Sequence, residues 1–180
     1  RPSVKEQVES LGAKFIDVPY ETAEEKEAAE GVGGYARPMP QSWLDRQKVE
    51  VAKRVAQADV VISTALIPGR AAPVLITEDM VKSMKPGSVI VDLAVENGGN
   101  CPLSEAGKVV IKYGVVIVGY VNVPSRVAVD ATNQYAKNLF TFLGVILDKK
   151  TGALTIDPAD EIIKGVMLTR DGAIVHPAFS

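Results

Sequence analysis

A single cysteine, Cys101, is all that this chain of 180 residues carries, alongside one histidine and one tryptophan. An internal disulfide is thereby excluded, as is a zinc site built on cysteines, and a reducing compartment is the simpler expectation. Neither sign of charge dominates: 20 lysines and arginines face 22 acidic residues, and nothing in a formal net charge of −2 suggests a nucleic-acid partner. Long hydrophobic runs are missing too. The longest stretch without a charge, Tyr113 to Ser125, has 13 residues and is broken by Gly114, Gly119 and Pro124, whereas a spanning helix needs about 20 apolar residues. No secretory signal, Walker A, Gly-x-Ser-x-Gly or metal-ligand cluster occurs. The chain opens on Arg1 without a methionine, which leads us to expect a processed, tagged or truncated product.

What is present is the composition of a folded domain, 47% hydrophobic and 23% charged. Short β-branched runs recur at Lys14–Val18, Asp59–Ser63, Ser88–Asp92 and Val115–Gly119. They are apolar through their middles, as strands buried on both faces are. Between them lie helical patterns. Over 41–57, Leu44, Val51 and Val55 share one face, and Thr77 to Met84 reads as a short helix capped by Thr77 and stopped by Pro86-Gly87. Strands alternating with helices predict an α/β fold with a doubly wound parallel sheet.

Beyond the last of these strands, Val127, Ala131, Tyr135, Leu139, Phe142 and Ile146 repeat every three to four residues and predict a long helix over 125–147. The remainder reads as a small β-rich segment: a turn at 148–152, then Gly165–Thr169 and Ala173–Val175 flanking Arg170-Asp171-Gly172 as a hairpin.

Ligands of an open parallel sheet bind outside the carboxyl ends of its strands. Three segments leave those ends. Thr64-Ala-Leu-Ile-Pro-Gly69 is small and then apolar, with room for a flat ring. In Leu93–Asn100, Gly98-Gly99 permits a tight reversal and Glu96 can reach a sugar hydroxyl or a protein neighbour. Tyr120–Arg126 leads into the long helix. Each alone is an ordinary connector, but three on one rim favour a ligand site. Gly31-Val-Gly-Gly-Tyr-Ala-Arg-Pro-Met-Pro40 has the hinge, ring and stiff exit of a lid that could fold Tyr35 over a bound group, or is simply a solvent loop. The acidic, alanine-rich stretch 21–30 before it reads as a solvated helical face. His176 reads as structural, and Cys101, with no basic companion, as a buried or inert thiol.

Gly33-Gly-Tyr-Ala36, Thr64-Ala-Leu-Ile-Pro-Gly69, Lys85–Ala94, Gly98-Gly-Asn-Cys-Pro-Leu-Ser104, Asn122-Val-Pro-Ser-Arg126 and Thr169–Pro177 occur in an order that closely resembles the NAD(H)-binding component of proton-translocating NAD(P) transhydrogenases, across essentially the whole chain. Alanine dehydrogenase is a relative, but its counterpart of Val95–Gly99 carries an Asp where Glu96 stands. The resemblance implies a Rossmann-like NAD-binding domain over 1–147, N-terminally incomplete because the family's Gly-rich turn, ribose acid and nicotinamide-positioning group would all precede Arg1. Residues 148–180 would pack on the other domain of the full component. It further implies that Gly34, Gln47 and Leu66 contact NAD, with Ala65 beside the adenine. Tyr35 would tip a mobile loop, Met39 would sit later in that loop, and Arg1 would follow the ribose acid. No catalytic acid or base and no metal are implied. Two departures stand out: Tyr120 replaces a frequent His, and 20–29 is slightly lengthened.

By this resemblance the activity is hydride transfer between NADH and NADP coupled to proton translocation. NADP(H) would be held by a partner component, a second partner would span the membrane, the component would be a homodimer, and the location would be the cytoplasmic side of a bacterial inner membrane or the mitochondrial matrix side. The competing readings are an alanine dehydrogenase-like oxidoreductase and a non-catalytic nucleotide-binding or assembly subunit.

Overall fold

In the computed structural model, residues 4–30, 39–67 and 69–179 are described. They form two compact units, Arg1–Val121 and Asn122–Ser180.

The first unit is built on strands β1 (Val60–Ser63), β2 (Val89–Asp92), β3 (Lys108–Lys112) and β4 (Val115–Gly119), in the order β1-β2-β4-β3. β1, β2 and β4 are parallel, with Ser63 level with Asp92 and Val91 level with Val118. Their carboxyl ends therefore share one rim. The expected run of parallel strands and helices is present, with one addition. β3 pairs antiparallel with β4 through the two-residue turn Tyr113-Gly114, in which both residues take positive φ (54° and 79°). That is the mirror-image turn whose twist matches a hairpin.

Helices α1 (Lys5–Ser10), α2 (Ala23–Glu30), α3 (Gln41–Val55) and α4 (Glu78–Ser83) complete the unit. Thr77 caps α4 as its sequence predicts, its hydroxyl accepting from the Met80 N–H at 3.3 Å. α3 and α4 place Val55, Met80 and Val81 against Ile90, Val115 and Ile117 of the sheet, and these with Ile76, Met84 and Cys101 form the core. The opposite side chains of β2 and β4 are half-buried, so one face is sealed and the other only partly covered. β1 departs from the expectation of a strand covered on both faces: Val60 and Ile62 are exposed, because the strand lies at the sheet edge.

Lys14–Val18 is not a strand. It has no ladder among the described residues, and a side chain of α3 holds it instead: the Trp43 indole N–H donates to the Val18 carbonyl at 3.2 Å. Nor is α2 wholly solvated. Glu25 is fully buried and accepts from the Glu21 N–H (2.8 Å), the Ser42 hydroxyl (2.9 Å) and Arg46 Nη2 (2.6 Å). Those bonds, led by the Glu21 amide, hold its carboxyl below the usual carboxylate range. A buried carboxylate needs such partners, and here they tie the segment entering residues 31–38 to α3.

The second unit opens with a 3₁₀ turn, Val123–Val127, that runs into α5 (Ala128–Ile146), the expected long helix. No residue of α5 is buried, and Tyr135 and Phe140 are exposed. An isolated bridge between Leu147 and Leu154 closes the 148–152 turn. The hairpin expected at Arg170–Gly172 is present, joining β5 (Thr169–Arg170) to β6 (Ala173–Ile174). Gly165 and Val166, expected to extend its first strand, instead finish α6 (Glu161–Val166). Asp160 starts that helix by accepting from the Ile162 and Ile163 amides.

Candidate functional site

Parallel strands aim their carboxyl ends at one rim, and there one buried side chain, Asn100, bonds the connection leaving β2 to the one leaving β1, while a second, Asp92, organises the loop that carries it. Asp92, the last residue of β2, is fully buried. Its Oδ1 accepts from the amides of Ala94 (3.0 Å) and Asn100 (3.1 Å), and its Oδ2 from the Cys101 amide (3.0 Å) and the Ser104 hydroxyl (2.7 Å). Gly98 and Gly99 turn the chain back toward that carboxylate with φ of 97° and 81°. At Gly99 a Cβ would lie 2.8 Å from Asp92 Oδ2, so a side chain there would collide with the group that organises the loop.

The reversal delivers Asn100, also fully buried. Its side-chain amide pairs with the backbone of Ala65 as a neighbouring strand would: Oδ1 accepts from the Ala65 N–H at 3.0 Å and Nδ2 donates to the Ala65 carbonyl at 2.9 Å. Nδ2 also donates to the Pro73 carbonyl at 2.8 Å, while the Asn100 carbonyl accepts from the amides of Leu75 and Ile76. With the Ala65 amide and carbonyl engaged, Ala65, Leu66 and Ile67 offer apolar side chains after β1. Ala65 is half-buried, and Leu66 and Ile67 are about half exposed. One residue earlier, the Ser63 hydroxyl is buried at the strand end with no hydrogen-bond partner among the described residues.

Gln47 lies elsewhere on the first unit, lining a cleft of about 80 Å³ with Phe15, Asp17, Val18, Trp43 and Val51. It stands in the N-terminal half of α3. Arg1, Gly34 and Tyr35, and with them most of the expected lid, lie outside the described residues. The third rim segment, Tyr120–Arg126, crosses from the first unit into the second. Glu96 is exposed on a 3₁₀ turn, Val95–Asn97. Cys101 is buried, and burial pushes its thiol up, away from the reactive thiolate. His176 accepts from the Ala178 amide, and its ring lies 5.4 Å from that of Phe179, tilted by 51°. A larger cavity, about 500 Å³, sits in the second unit between Ile163, Met167 and Val175, with Lys164 and Arg170 in its lining. It is not the rim that the topology designates, which lies in the first unit.

Residues 1–177 match the family described as alanine dehydrogenase/PNT, C-terminal domain. The chain belongs to this family. Within it, the chain is 57% identical over 180 residues to an NAD(P) transhydrogenase alpha subunit of Rhodospirillum rubrum, covering all of this chain and 46% of that protein. Against the alanine dehydrogenase of Bacillus subtilis (strain 168) the identity is 35% over 141 residues, 72% of this chain and 35% of the enzyme. Among solved structures, the transhydrogenase of Sinorhizobium meliloti superposes with a TM-score of 0.74 at 46% identity, over 97% of this chain and 43% of that one. An L-alanine dehydrogenase gives 0.55 at 30% identity, over 73% and 37%. The chain thus spans about half the length of the curated relative it matches at 57% identity. The family's Rossmann-like architecture is the one expected from the alternation of strands and helices.

The residues that build this rim, Asp92, Asn100, Ser63 and Ser104, were not singled out by the sequence. The available signal was an acid ending a β-branched run and followed by Gly-Gly-Asn. Its target, Ala65, lies 35 residues before Asn100, and no local pattern reports such a pairing.

Proposed function

We propose that this chain is the NAD(H)-binding part of a proton-translocating NAD(P) transhydrogenase. The observation that carries the reading is the wall after β1, where Ala65 and Leu66 present apolar surface because Asn100 engages the Ala65 amide and carbonyl. Such a wall suits the face of an adenine, and the orphaned Ser63 hydroxyl supplies a polar group that a bound nucleotide would satisfy. NAD(H) would supply the hydride. This chain's residues would bind and orient it: Ala65 and Leu66 at the adenine, Gln47, Gly34 and Arg1 as further contacts, Tyr35 closing to exclude water. Hydride passes directly between rings, so positioning rather than an acid or base is the requirement. NADP(H) would sit on a partner component and the proton path in a membrane-spanning one, with this component a homodimer at the cytoplasmic or matrix face. Among the described residues no helix is long and apolar enough to cross a membrane. Residues 1–147 would belong to the NAD-binding domain and 148–180 would pack against the component's other domain. The 57% identity to a transhydrogenase subunit supports this reading over alanine dehydrogenase, as does Glu96 where that enzyme carries an Asp.

Titration of the full-length component that contains this chain tests it. NADH is expected to bind and NADPH not to, with no reduction of NAD by alanine; turnover of alanine or pyruvate would overturn the assignment.

Ser63→Ala gives a second check. Removing a buried, unpaired hydroxyl from the nucleotide-free protein is expected to raise stability by up to about 1 kcal/mol, read as a higher thermal midpoint, and to weaken NADH binding severalfold. A lower midpoint would show that Ser63 already has its partner without nucleotide.

A further inference from the structure

We propose that Asn100 is a positioning residue for the nucleotide, setting NAD(H) affinity through the backbone of Ala65 without touching the ligand. The inference rests on the reading of the Ala65–Leu66 wall given above. A planar side-chain amide sets one acceptor oxygen beside two N–H donors, and both donors and the oxygen are engaged here within 3.0 Å: Ala65 N–H on the oxygen, the Ala65 and Pro73 carbonyls on the nitrogen. No other side chain offers an acceptor and two donors in one plane at this length. The clamp is itself aimed from behind, because Asp92 fixes the Asn100 amide. Ala65 is two residues beyond the end of β1, where the ladder to β2 has stopped at Ser63–Asp92. Asn100 therefore substitutes for the ladder at the place where the chain must stay extended and its backbone must remain closed to solvent and ligand alike. Without it, the Ala65 amide and carbonyl would seek other partners, and the wall would lose the single conformation in which Leu66 projects from a fixed backbone.

The test uses the full-length component and two variants. Asn100→Asp is isosteric and keeps the acceptor for Ala65, but sets oxygen against the Ala65 and Pro73 carbonyls. Asn100→Ser adds no charge and is too short to reach Ala65, which keeps the test valid should the Asp variant fail to fold. Ile90→Val, a fully buried core change that removes none of the hydrogen bonds made by Asn100 or Asp92, is the control for a general loss of stability. Both Asn100 variants are expected to weaken NADH binding about tenfold or more, a factor that corresponds to about 1.4 kcal/mol. Hydrogen exchange at the Ala65 amide, measured without nucleotide, should accelerate in both and stay slow in Ile90→Val, whose NADH affinity should not change. Folded Asn100 variants with affinity within twofold of the parent would overturn the role, as would equal weakening by Ile90→Val. If the parent does not bind NADH, or Leu66→Asp does not weaken it, the nucleotide reading itself fails. If both of those hold and only the Asn100 variants bind normally, the positioning role alone is lost.

Discussion

Leu66→Asp is expected to lower the NADH affinity of the full-length component by at least about a hundredfold, roughly 3 kcal/mol, and to leave its fold intact. The two halves of that expectation have separate causes. Leu66 is 52% exposed and sits beyond the last ladder pair of β1, outside the core cluster, so a carboxylate there remains hydrated in the free protein. Once a flat ring covers it, the same carboxylate loses water and gains no donor, because the adjacent Ala65 amide is already committed to Asn100. Fluorescence titration with NADH measures the first effect and the thermal midpoint the second. An affinity within fivefold of the parent would remove Leu66 from the nucleotide wall, and a collapsed midpoint would make it a folding residue instead.

Asp92→Ala is expected to cost the protein about 4 kcal/mol or more, enough to unfold much of a typical domain, whose whole stability is about 5–15 kcal/mol. Four donors converge on this one carboxylate: the Ala94, Asn100 and Cys101 amides and the Ser104 hydroxyl. Alanine would leave all four without an acceptor in a site from which water is excluded, and even with relaxation of the loop about 1–3 kcal/mol attaches to each orphaned group. Asp92→Asn keeps one oxygen but turns an NH₂ toward two donors, so its loss should fall between those of the parent and the alanine variant. Urea denaturation of the three proteins ranks them. A loss below about 1 kcal/mol for Asp92→Ala would mean that the loop after β2 finds its structure by other bonds.

The parts of this fold that could be read from the chain are those whose cause is local. The middles of β1, β2 and β4 are β-branched runs, Thr77 is a cap followed by acidic residues, and Arg170-Asp171-Gly172 announces a turn in which Asp171 and Gly172 take positive φ. β3 is less legible because its turn is Tyr113-Gly114 instead of Asn-Gly, although two β-branched runs split by two residues flank that turn. Lys14–Val18 has the composition of a strand, but pairing is a property of the neighbour, and here the neighbour is a tryptophan on a helix. Glu25 sits in a stretch whose charge predicts solvent, and what buries it is Arg46, 21 residues away. The rim shows the same division: the apolar residues of 64–67 are plain in the sequence, whereas the buried amide that fixes them, and the carboxylate that aims that amide, exist only once β1 and β2 lie side by side.

Cys101 shares that carboxylate, its amide donating to Asp92 Oδ2 while its thiol is sealed in the core. As the sole thiol of this chain, it is a built-in chronometer for the rim. A thiol-specific reagent can reach it only in those moments when the loop after β2 swings open, so the labelling rate measures how often the floor beneath the wall comes apart. A ligand that grips the wall should slow that rate in proportion to its occupancy, making the sulfur a witness to binding that it takes no part in.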